Sequence, residues 1–178
     1  AADPGGFRPR RILRRTRRVH HADVNLVAVP DEIDDATAAG LGCRFATAYR
    51  AVSNRARVAP GEEVVVFGCG GVGLAAILVA RARGARVVAV DVSPAALELA
   101  GRLGAAELLQ AAAPGLDERL RSATSGGAHV VIEAIGRAEL VRHGLGCLRP
   151  GGRHVQVGLL PGRDADRAVD LGRILALE

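Results

Sequence analysis

From residue 62 onward the chain repeats one pattern: a short apolar run, a glycine or a polar cap, then a longer stretch with apolar residues at helical spacing. The runs "EEVVVFG" (62–68), "ARVVAVD" (85–91), "AAELLQ" (105–110), "AHVVIEAIG" (128–136) and "RHVQVGLL" (153–160) predict five strands. Between them, "GVGLAAILVARARG" (71–84), "SPAALELAGRLG" (93–104), "LDERLRSAT" (116–124) and "RAELVRHGLGCLRPGG" (137–152, helix then turn) predict helices. Ser93 suits the N-cap of the second, with Pro94 at its first position and Gly104 closing it. The strand runs are continuously apolar rather than alternating, so both faces of the sheet must be covered. The pattern therefore predicts an α/β fold, a doubly wound parallel sheet of the Rossmann type. Such a sheet usually has six strands, and "LGRILALE" (171–178) ends on an apolar periodic run without a cap, so a truncated version is expected.

The upstream half is less regular. "NLVAVP" (25–30) predicts a short strand ended by proline. "DEIDDATAAGLGCRFATAYRAVSNRARV" (31–58), with acids early and arginines late, predicts one helix, or two broken near Gly40-Leu41-Gly42. Pro60-Gly61 is a turn signal. Three parts are expected: a basic segment 1–22, a strand-helix connection 23–60, and the sheet domain 61–178.

Charge changes little once its distribution is considered. The formal net charge is +5, but seven arginines lie in residues 8–18; without them 17 basic residues face 19 acidic ones. The body is not basic, so neither nucleic acid nor an acidic membrane is an expected partner. No long charge-free apolar run or secretory h-region occurs, and a soluble cytoplasmic protein is expected. The absence of methionine, even at residue 1, suggests an internal piece of a longer chain. Cys43, Cys69 and Cys147 are odd in number and far apart, which suits neither a disulfide framework nor a self-contained structural zinc site. The five histidines form no ligand spacing.

Candidate chemistry centres on "FGCGGVG" (67–73). Glycine weakens regular structure by roughly 1 kcal/mol relative to alanine, so four in six positions imply a need for bare backbone. Gly68 would permit a tight turn, Gly70 would leave room for a pyrophosphate and Gly73 would let helix pack close to strand. Gly71 and Val72 complete the loop, and the helix start offers free N–H groups to phosphate. Asp91, at the end of the second strand, is placed to accept hydrogen bonds from a ribose diol. An acid there disfavours a 2′-phosphate, and "DVSP" brings no cation, so NAD is expected over NADP. An S-adenosylmethionine-dependent methyltransferase shares a glycine turn and an acid, but not the third spacing glycine.

The motifs "LGCRFATAYRAV" (41–52), "HADVNLVAVPDEID", "GCGGVGLAAILVARARGARVVAVDVSP" and "EAIGR…LRPGGRHVQVGL" resemble the medium-chain dehydrogenase/reductase superfamily, and within it the zinc-dependent alcohol dehydrogenases, from about Asp23 to Gly162. The resemblance implies zinc as a second cofactor, with Cys43 as the one catalytic ligand from this part of the chain. Thr47 would lie beside the nicotinamide, Ala134 and Ile135 would flank the cofactor, Arg137 would lie near the adenine, and Val157-Gly158 would meet the carboxamide. Zinc would polarise a carbonyl, or lower an alcohol's pKa, while hydride passes to or from the nicotinamide. The substrate implied is a small alcohol or aldehyde, and the full-length protein is expected to be a homo-oligomer. The family's other ligands, a cysteine and a histidine, sit in an N-terminal catalytic domain absent from this sequence, so residues 23–60 read as its connecting segment and the fragment is expected to be inactive alone. A non-catalytic nucleotide-binding module and a zinc-independent, quinone-reductase-like enzyme are the alternatives. "GGFRPRRILRRTRRVHHADVN" departs from the family's "GGFAEY" pattern. Residues 8–19 are therefore read as a frameshifted stretch: were residues 10–15 encoded CGC-CGA-ATA-CTT-CGC-CGT, the frame one base on would read Ala-Glu-Tyr-Phe-Ala.

Overall fold

A computed structural model describes residues 19–160. The arginine-rich stretch, most of the 1–22 segment and the run 171–178 lie outside the described residues. The chain forms two compact units, divided after Ala38.

In the first unit, α1 (Ala22–Asn25) is a single helical turn. The strand expected over 25–30 is not formed: Asn25 ends the helix, and the residues after it lie outside every strand of the described sheet. Val24, Leu26, Val27 and Val29 are all exposed. An apolar extended run becomes a strand only where a neighbour completes its ladder. Asp34 caps α2 (Asp35–Gly40), its Oδ1 accepting from the Thr37 N–H at 2.7 Å.

In the second unit, the break expected near Gly40–Gly42 is a change of winding. Gly40 stays helical (φ −72°, ψ −26°), and a π-wound segment follows at Leu41–Phe45. Next come α3 (Ala46–Tyr49) and a second π-wound segment, Arg50–Arg55. The wider turns are marked by bonds reaching five residues back, Ala46 N–H to Leu41 O and Ala56 N–H to Ala51 O.

The sheet domain then builds as β1 (Glu63–Phe67), α4 (Gly71–Ala82), β2 (Arg86–Asp91), α5 (Pro94–Arg102), β3 (Glu107–Gln110), α6 (Leu116–Ala123), β4 (Ala128–Glu133), α7 (Ala138–Cys147) and β5 (Leu148–Gln156). All pairs are parallel, in the order β3-β2-β1-β4-β5. Ser93 caps α5 as expected, its hydroxyl accepting from the Ala96 N–H. The two-residue period of a strand sorts the core into two layers. Val64, Val66, Val87, Ala89 and Ile132 pack with Ala76, Ile77 and Leu97 on one face. Val65, Phe67, Val88 and Val131 pack with Leu116, Leu120 and Leu140 on the other.

β5 begins at Leu148, not 153, and ends at Gln156, not 160. Its start absorbs "RPGG" as a bulge: Leu148 pairs with Ala128, and the next partners are Arg153 and Val130. β4 stops at Glu133, because Gly136 takes a left-handed φ of 92° that no ladder accommodates. At the amino end of β1, Arg153 bonds both oxygens of Glu62 at 2.6 and 2.7 Å, joining the residue before β1 to the part of β5 just past the bulge.

Candidate functional site

The connections from β1 lead one way to β2 and β3, and the chain then returns across β1 to β4 and β5. A crevice opens where that order reverses, beyond the carboxyl ends of β1 and β4. The glycine loop lies there. Gly68 has φ 92° and donates to Val90 O at 2.8 Å, turning the chain off β1 towards β2. At Gly73 a β-carbon would sit 1.6 Å from Gly68 O, so helix and strand meet backbone to backbone. A β-carbon on Gly70 would meet nothing within 4 Å; the space above it is open. Val72 is half-buried in the first turn of α4, whose leading N–H groups have no partner within the helix.

Asp91 is tied into the same loop. Its Oδ2 accepts from the Cys69 N–H at 2.6 Å and its Oδ1 from the Ser93 N–H at 2.8 Å. Each oxygen retains a lone pair for a further donor. Burial, and then the Asp91 charge, push the Cys69 thiol up to about 12, so this cysteine is neutral packing rather than a ligand or nucleophile. Beside Asp91 lies a cleft of about 250 Å³ whose walls include Phe67, Val92, Leu116, Arg137 and His143. Arg137 is largely exposed and 3.7 Å from Glu139.

Ala134, Ile135, Val157 and Gly158 come together at the ends of β4 and β5. Ala134 donates to Phe67 O at 2.9 Å, and the Ile135 side chain covers Gly68. Val157 and Gly158 both donate to the Glu133 carbonyl, at 2.8 and 2.9 Å. The Glu133 side chain, which the sequence reading passed over, is fully buried and accepts from the Ile135 and Gly136 N–H groups at 2.8–2.9 Å and from the Gln156 amide. One carboxylate thus joins the two segments. The available signal was an acid inside the otherwise apolar run "AHVVIEAIG". Gln156 in turn faces His154 through its Oε1 at 3.1 Å, which places the imidazole proton on Nε2. His154 Nδ1 is buried without a partner, and burial holds this histidine below its ordinary pKa despite Gln156 and Glu133.

Cys43 and Thr47 lie on the first π-wound segment and α3, and both are exposed. Among the described residues no three His, Cys, Asp or Glu side chains gather as a metal site, so Cys43 is at most one ligand of an incomplete set. The nucleotide fares differently: the open space above Gly70, the anchored Asp91 and the adjoining cleft fit a dinucleotide. Arg44 was also missed; its side chain lies against Gly71. No helix among the described residues is long and apolar enough to cross a membrane.

Fold and site together define a Rossmann-like α/β protein with a glycine loop at the switch point of its sheet. A family model described as zinc-binding dehydrogenase matches residues 71–178. The chain belongs to that family, within the medium-chain dehydrogenase/reductase superfamily it resembles. It is 38% identical over 145 residues to geraniol dehydrogenase of Castellaniella defragrans, covering 80% of this chain and 39% of that protein. To S-(hydroxymethyl)glutathione dehydrogenase of Synechocystis it is 35% identical over 142 residues, 78% of this chain and 38% of the relative. The crystal structure of benzyl alcohol dehydrogenase from Acinetobacter calcoaceticus superposes with a TM-score of 0.79 at 30% identity, over 84% of this chain and 41% of that one. The chain therefore spans about two fifths of the length of the relatives it matches.

Proposed function

We propose that this chain is the NAD-holding portion of a zinc-requiring alcohol dehydrogenase-like oxidoreductase, with residues 61–178 as the cofactor domain and 23–60 as its connection to a catalytic domain. The carrying observation is the Asp91 carboxylate bonded to the N–H of Cys69 inside the glycine loop, beside the cleft. In this reading the backbone over Gly68, Gly70, Gly71, Val72 and Gly73 receives the diphosphate. Asp91 accepts the adenosine ribose hydroxyls, and its charge repels a 2′-phosphate. The cleft between Val92 and Arg137 takes the adenine. Ala134, Ile135, Val157 and Gly158 shape the nicotinamide end, held in register by Glu133, with Thr47 on the facing helix. When bound, NAD supplies the hydride acceptor. Cys43 is proposed as a zinc ligand, and further ligands must come from elsewhere in the full-length protein. The 178 residues alone bind cofactor weakly and without turnover. Relatives named for geraniol and benzyl alcohol support an alcohol or aldehyde substrate. A homo-oligomer of the full-length protein belongs to the same reading.

Fluorescence titration of the chain with NADH and NADPH tests this. Saturable NADH binding, at least about tenfold tighter than NADPH, is expected from a 2′-phosphate set against a carboxylate. Gly70→Val should abolish it by filling the open space while leaving the fold intact. Equal affinity for the two cofactors, or no saturable NADH binding, overturns the proposal.

A further inference from the structure

We infer that Arg44 is a phosphate-binding residue of the cofactor site, an assignment that rests on the nucleotide reading above. The spacing G-x-G-x-x-G requires glycine at 68, 70 and 73, and leaves Gly71 without a reason. Arg44 supplies one: a β-carbon at Gly71 would meet Arg44 Cδ at 2.5 Å, Nε at 3.2 Å and a terminal guanidinium nitrogen at 3.3 Å. The bare α-carbon is the space through which the arginine stem passes.

The stem brings the guanidinium to the first residue of α4, a helix of 12 residues with no acid in its first turn. That end of a helix carries the positive pole of the macrodipole, so an arginine there is repelled rather than held. Arg44, exposed to solvent, makes no ion pair or hydrogen bond among the described residues, so its guanidinium is available to an added anion. The guanidinium and the positive pole of α4 thus meet at Gly71, next in the chain to the open space at Gly70. A diphosphate seated there would satisfy both, and the planar guanidinium can bond two phosphate oxygens at once. Arg44 is thus a second electrostatic clamp, from outside the glycine loop, on the anion that the loop cradles.

The test is calorimetric titration of the 178-residue chain with ADP-ribose, which carries the diphosphate, and with adenosine, which does not. Arg44→Ala should weaken ADP-ribose about tenfold, as the loss of a charge-assisted hydrogen bond does, and leave adenosine unchanged. Arg44→Lys, which keeps the charge without the fork, should fall between. The gap between wild type and Arg44→Ala should close as salt rises, because the site is open to solvent. Since Arg44 is exposed, its loss should leave the thermal midpoint where it was. Unchanged ADP-ribose affinity in Arg44→Ala, or equal weakening of both ligands, overturns the inference. Failure of the wild-type chain to bind ADP-ribose overturns the nucleotide reading itself, and Arg44's role with it.

Discussion

At the scale of single residues, the four loop glycines answer to different demands. Gly73→Ala would drive a β-carbon into Gly68 O, and overpacking of that kind costs about 1–3 kcal/mol or more. Gly70→Ala meets nothing and sits on an ordinary backbone (φ −80°), so it should change stability by less than about 1 kcal/mol. Urea unfolding of the two variants should separate them, while NADH binding should suffer in the second despite its native stability. Glu133→Gln keeps one acceptor for the Ile135 and Gly136 N–H groups but sets its new amide donor against the Gln156 amide inside the protein, and a loss of about 1–3 kcal/mol is expected in the same assay. Gly68, Gly73 and Asp91 were legible from sequence because a glycine's purpose, or an acid's place after a strand, is written in local spacing. The link from Glu133 to Gln156 and that from Arg44 to Gly71 were not, since they span 23 and 27 residues of chain.

Elements were legible where periodicity alone decides them, as in β1, α4, β2 and α5. The errors fell where a neighbour decides: residues 26–30 have strand composition without a ladder to join, and β5 takes in a bulge because β4 lies alongside. The amino end of that β5 layer gives a pH prediction. Burial pushes the Glu62 carboxyl up, but Arg153, the Ala59 N–H and His129 outweigh it and hold it below its ordinary value. The folded state therefore binds fewer protons than the unfolded one, and Glu62's contribution should be lost as pH falls below about 4.3. His154 is also held below its ordinary value, so the unfolded chain binds its proton first and stability should fall as pH drops below about 6.5. Thermal midpoints between pH 7 and pH 4 should show both declines, and His154→Gln should flatten the upper one alone. Arg153 is 40% exposed, so Arg153→Ala should cost no more than about 1 kcal/mol.

For the whole molecule, the described residues hold the glycine loop and its adjoining cleft but no group of three or more side chains able to hold a metal. After dialysis, elemental analysis should find well under one zinc per chain, and a chelator should leave the thermal midpoint unmoved. A stoichiometric, tightly held zinc would contradict the placement of Cys43 as a lone ligand. The fold class was legible at this scale because continuous apolar strands leave few alternatives to a covered parallel sheet. Whether the connecting helix is α- or π-wound was not, since that choice turns on one residue per turn.

The bonds from the backbone N–H groups of Cys69 and Ser93 to Asp91 carry a consequence for how such a protein could diversify. The same two oxygens that would select the sugar also pin the loop. Exchanging the acid for a small neutral residue, the simplest route to accepting a phosphorylated ribose, would strand two main-chain donors at once. A lineage changing its coenzyme preference would need a compensating acceptor before or alongside that substitution.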